Sequence, residues 1–90
     1  MTNSIAQMIL FCRQHQADNA ASVKARLNMA ASWNTGTDRQ WRAAAKMSGA
    51  KFVPKSERQR NALMDSKIAA KYAAEEMMYS AIADALDSIK

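Results

Sequence analysis

Three observations predict an all-α fold. Residues 56–90 contain neither Gly nor Pro, the two residues least compatible with a helix interior. A capping signal opens that run, and apolar residues recur along it at helical spacing. The rest of the chain carries loop signals in only three places. The expected architecture is three to four helices, with short N-terminal helices packed on a long C-terminal helix that acts as the spine.

The first helix is expected to open at Asn3 or Ser4, whose side-chain oxygens can accept a bond from a free first-turn amide. Ile5, Met8, Ile9 and Cys12 then share one face, which Phe11 widens. Residues 14–19 are polar, and Asp18 could cap a restart. Residues 4–33 therefore read as two helices or as one kinked helix, with the polar interruption favouring two. The second piece would cover 20–33, with Val23, Leu27 and Ala31 on one line and Met29 and Trp33 beside it.

Asn34, Thr35, Gly36 and Thr37 form the clearest turn, because Gly and Asn tolerate the left-handed backbone. Thr37 and Gln40 have capping-box spacing, and Asp38 would sit favourably against the helix dipole. A helix over 38–48 follows, stopped by Gly49, with Trp41, Ala44, Ala45 and Ser48 as its inner side. Residues 50–55 read as a connector in which Pro54 biases Val53 towards extended backbone. Ser56 with Gln59 repeats the capping-box spacing and should start the long helix. Its expected buried stripe is Met64, Ile68, Tyr72, Glu75, Tyr79, Ile82, Leu86 and Ile89. Beside it run Ala69, Ala73, Met77, Ala81 and Ala85, small enough in the main to admit a neighbouring helix.

Ninety residues suit one domain. Much of the apolar content is Ala, so the core should be thin, which favours oligomerisation or a partner surface. A single cysteine, Cys12, rules out an internal disulfide framework and a cysteine-rich zinc site. The N-terminal apolar stretch has no preceding Lys or Arg and is closed by Arg13, unlike a signal peptide. No run reaches the roughly 20 apolar residues of a membrane span. The expectation is a cytoplasmic protein without membrane contact.

The net charge of +5 is concentrated in one block. Residues 38–60 carry Arg39, Arg42, Lys46, Lys51, Lys55, Arg58 and Arg60 against Asp38 and Glu57. Residues 61–90 are net acidic. A concentrated basic block attracts an acidic protein face or nucleic acid. Those seven cations are the expected contact residues, with Trp33 or Trp41 as an apolar anchor. Ala45 and Gly49 have the spacing of a helix-turn-helix, but Lys55 and Arg58 fall where the second helix needs apolar anchors and Pro54 interrupts. His15 and Cys12 lie three residues apart and could form a nucleophilic pair; a core cysteine beside a surface histidine is the simpler reading. Metal ligands of suitable kind and number are missing. Neither a catalytic residue nor a cofactor is expected. Six internal methionines suit an adaptable contact surface or core filling.

The sequence thus points away from an enzyme. It suggests a small helical interaction protein that binds, and inhibits or modulates, a larger protein or nucleoprotein complex through a basic face. By composition alone, it is comparable with phage-like accessory proteins of mobile elements and with inhibitors of nucleases, polymerases or defence complexes. The alternative is a direct DNA- or RNA-binding protein, dimeric through the C-terminal helix.

Overall fold

The computed structural model describes residues 3–89, apart from the Asn3 side chain. The capping role expected of Asn3 and the terminal Lys90 lie outside the described residues. The described residues form three helices: α1 (Asn3–Trp33), α2 (Asp38–Ser48) and α3 (Lys55–Ile89). The long C-terminal helix is the spine, as expected. The N-terminal part differs from expectation, since residues 3–33 form one unbroken helix of 31 residues. Nothing between Gln14 and Asn19 breaks a helix: the segment has no Gly or Pro, and Ala17, Ala20 and Ala21 sustain helix propensity across it. Ser4 therefore lies inside α1 and cannot be its N-cap.

α1 and α3 run antiparallel along a rod 61 × 20 × 14 Å. Cross-links at two levels fix the direction: Phe11 meets Tyr79 and Arg13 meets Asp84 near one end, and Arg26 meets Asp65 further along. The inner line of α1 is Ile5, Ile9, Cys12, Gln16, Asn19, Val23, Arg26, Ala30 and Trp33, all buried or half-buried. The inner line of α3 is Arg58, Ala62, Asp65, Ala69, Tyr72, Glu76, Tyr79, Ala83 and Leu86, likewise. Both lines alternate steps of four and three residues, the heptad spacing of helices packed side by side.

This seam corrects the stripe expected from the sequence. Tyr72, Tyr79 and Leu86 are on it. Ile82 is 41% exposed, Met64 62% and Ile89 68%. The expected line has the right period but is rotated towards one flank. Small residues explain the rotation, because Ala62, Ala69 and Ala83 let the two backbones approach closely and so take the inside. The larger Ile and Met side chains are pushed to the edge. Of the Ala and Met line expected beside the stripe, Ala69 is buried, whereas Met77, Ala81 and Ala85 are exposed.

The turn chemistry follows the sequence closely. Gly36 has φ 87°, a left-handed value that favours glycine. Thr37 closes a full capping box on α2: its hydroxyl accepts from the Gln40 N–H at 3.3 Å, and Gln40 Oε1 accepts from the Thr37 N–H at 2.9 Å. Gly49, at φ 73°, ends α2. α3 starts two residues earlier than the expected Ser56 cap implies. The Pro54 carbonyl accepts from the Arg58 N–H at 2.9 Å, so Pro54 and not Ser56 occupies the capping position.

Candidate binding surface at the basic tip

α2 and the two connectors close one end of the rod and form its tip. α2 has no buried residue; Trp41 and Ala45 are half-buried on its inner side, while Ala44 and Ser48, expected there too, are exposed. It is fastened by a polar and aromatic cluster. The Trp33 and Trp41 rings stack with centroids 5.7 Å apart. The Trp41 indole N–H donates to the Thr35 carbonyl at 2.7 Å. The Trp33 indole N–H donates to Asp65 at 2.9 Å, and the Arg26 guanidinium donates to the other oxygen of that carboxylate at 3.0 Å. Asp65 is buried, so its charge requires these two donors.

Arg58 was expected among the contact cations, and the structure places it elsewhere. It is 4% exposed. Its guanidinium donates to the Val53 carbonyl and to Asp38, both at 2.8 Å, and lies 5.0 Å from the centre of the Trp41 ring. Arg58 thus ties α3 to the connector and to the start of α2. The buried guanidinium is stable there because a carboxylate, a carbonyl and an aromatic face replace its water.

The other six predicted cations, Arg39, Arg42, Lys46, Lys51, Lys55 and Arg60, are all exposed. Arg39, Arg42 and Lys46 share one face of α2 by their spacing of three and four. Arg42 lies over the Phe52 ring, 4.6 Å from its centre, which limits how far that side chain can swing. Residues 38–60 carry seven basic and two acidic residues, and the chain as a whole is net +5. The two long helices outside this block therefore sum to zero, and the entire net charge sits on the tip. A cavity of about 370 Å³ opens between Trp33, Gly36, Thr37, Lys55, Arg58 and Gln59.

The predicted apolar anchors, Trp33 and Trp41, are both half-buried. Each uses its indole N–H internally, so what they can offer a partner is a ring edge. Cys12 is buried on the seam. His15 is not a free surface residue: its ring stacks on Tyr79 at 5.1 Å and tilts against Phe11 at 4.2 Å. Among the described residues, no hydrogen bond joins Cys12 to His15, and no group of three His, Cys, Asp or Glu side chains could hold a metal ion. Among the described residues, no helix is long and apolar enough to cross a membrane.

Sequence reasoning missed the buried positions of Arg58 and Asp65. Their partners lie 20 and 39 residues away in the chain, beyond any local pattern. What defines this molecule is therefore a helical hairpin with a charged, side-chain-braced tip. No protein-family model, curated protein or solved structure matches the chain.

Proposed function

We propose that this chain is a non-enzymatic binding module that sets its basic tip against an acidic face of a larger protein or nucleoprotein complex and thereby inhibits or modulates that complex. The observation that carries the reading is the placement of charge. Six exposed cations project from one end of a rod whose remaining length carries charges of both signs that sum to zero. A field localised in this way orients the molecule before contact and raises the rate of encounter with an anionic surface. The Arg58 and Asp65 clusters hold the tip in place, so little ordering entropy is lost on binding.

Direct DNA or RNA binding is the rival, and the same cations favour it. Aromatic stacking would contribute little to such a complex, because Trp33 and Trp41 stack on each other and Phe52 lies beneath Arg42. Contact would run through phosphates alone.

Replacing Arg39, Arg42 and Lys46 together by Glu tests the proposal. All three are exposed, so helicity by circular dichroism should stay as in the wild type. Capture from native lysate should yield a partner that survives nuclease treatment and is lost with the triple variant. Retention of that partner by the variant would sink the reading. A short DNA duplex titrated at rising salt separates the rival, since phosphate binding weakens with a slope of about −0.9 per phosphate neutralised.

A further inference from the structure

We propose that one flank of the hairpin is an interface between two copies of this chain, which pack antiparallel into a four-helix bundle with their basic tips at opposite ends. The inference is independent of what the tip binds.

The two flanks of the α1–α3 seam differ in chemistry. On one side Arg13 of α1 donates to Asp84 of α3 at 2.7 Å and lies 3.6 Å from Asp87, and the exposed Leu10, Leu27, Leu63 and Met77 are spread along the same flank. The other side carries a denser apolar band, interrupted by Lys71 and Glu75. Along α3 it carries Met64, Ile68, Met78, Ile82 and Ile89, and along α1 it carries Met8 and Phe11. Of these, all but Ile68 are exposed. An open apolar groove of about 610 Å³ runs between the two helices there, lined by Met8, Phe11, Tyr79, Ile82 and Leu86 among others.

Surface area indicates how much must be covered. A compact monomer of 10.0 kDa exposes about 5,200 Å² by the size scaling of folded proteins. This chain exposes 6801 Å². The excess, roughly 1,600 Å² per copy, comes from the elongation of the 61 × 20 × 14 Å rod, and it leaves a long face large enough to supply one protomer's share of an obligate dimer interface, which buries about 2,000–5,000 Å² in total. The seam explains why cover is needed. Its buried apolar residues are Cys12, Ala30, Ala62, Ala69 and Ala83, and among the described residues no large side chain is fully buried.

The pattern on α3 selects a second copy and sets its direction. A two-fold axis must map the interface onto itself. With that axis near residue 73, Met64 of one copy meets Ile82 of the other, and Ile68 meets Met78. Lys71 then meets Glu75, the one charged residue interrupting the expected apolar stripe. The same residues in a parallel arrangement would place Glu75 against Glu75 and the two basic tips side by side, and both contacts are repulsive.

Sedimentation equilibrium of the full chain is the test. The wild type should be a dimer, and a monomer at all concentrations up to about 100 μM, weaker than any stable interface of this area, would overturn the proposal. Ile82→Asp should give a helical monomer, whereas Met47→Asp, on the exposed tip, should leave the dimer intact. Glu75→Lys should weaken association at least tenfold, and the swap Lys71→Glu with Glu75→Lys should restore it. A dimer indifferent to Ile82→Asp, or a swap no better than the single variant, would contradict the antiparallel interface.

Discussion

The tip and the open end are the two ends of one α1–α3 hairpin, yet they are stabilised in different ways. At the tip, buried charges are satisfied inside the chain: Asp65 by Arg26 and Trp33, Arg58 by Asp38 and the Val53 carbonyl. At the open end, the cross-link is the exposed Arg13–Asp84 pair, alongside a cluster in which His15 stacks on Tyr79 and Phe11 lies tilted against both. Met8, Phe11 and Ile82 remain in water there. Directional bonds finish a structure locally, because each donor finds its acceptor. Apolar surface is not finished until something covers it. The tip is therefore suited to presenting charge, and the open end to receiving a partner.

The largest effect should come from Arg26→Ala. It leaves the Asp65 carboxylate buried with the Trp33 N–H alone, and removal of one partner from a buried pair costs about 3 kcal/mol. Thermal unfolding measures it, and a loss under about 1 kcal/mol, the value of an exposed pair, would break the contrast between the two ends. Thr37→Ala removes one arm of the capping box and should cost about 1 kcal/mol. The loss should appear in hydrogen exchange as faster opening of α2, with α1 and α3 unchanged. Arg13→Ala should have the smallest effect. Hydrogen bonding to Asp84 raises the Arg13 pKa above its ordinary value, but the pair lies in solvent, where ion pairs contribute little. Its melting point should stay close to wild type; a shift as large as that of Arg26→Ala would mean the open end also depends on bonded charge.

The helical class, both glycine stops and the Thr37–Gln40 box are legible in the sequence because their causes are local. A glycine at φ 87° or 73° and a Thr three residues before a Gln declare themselves within four positions. The basic stripe of Arg39, Arg42 and Lys46 is legible for the same reason. The seam is not, because hydrophobicity marks the wrong line. Gln16, Asn19, Arg26, Arg58, Asp65 and Glu76 lie on the inside, whereas Met64, Met78 and Ile82 lie outside. Heptad spacing was present in both helices, but polar side chains occupied enough of it to hide it. The polar run at 14–19 misled in the same way, since Gln16 and Asn19 are seam positions of a continuous helix. Arg58 reads as a contact cation until Asp38 and Trp41 are brought to it by the fold.

Hydrogen–deuterium exchange followed by mass spectrometry, at protein concentrations spanning self-association, tests the difference between the two ends most directly. Peptides from residues 30–60 should exchange at the same rate throughout, while those from 4–15 and 64–89 should slow as concentration rises. Protection that rises at the tip, or that is independent of concentration at both ends, would contradict the account.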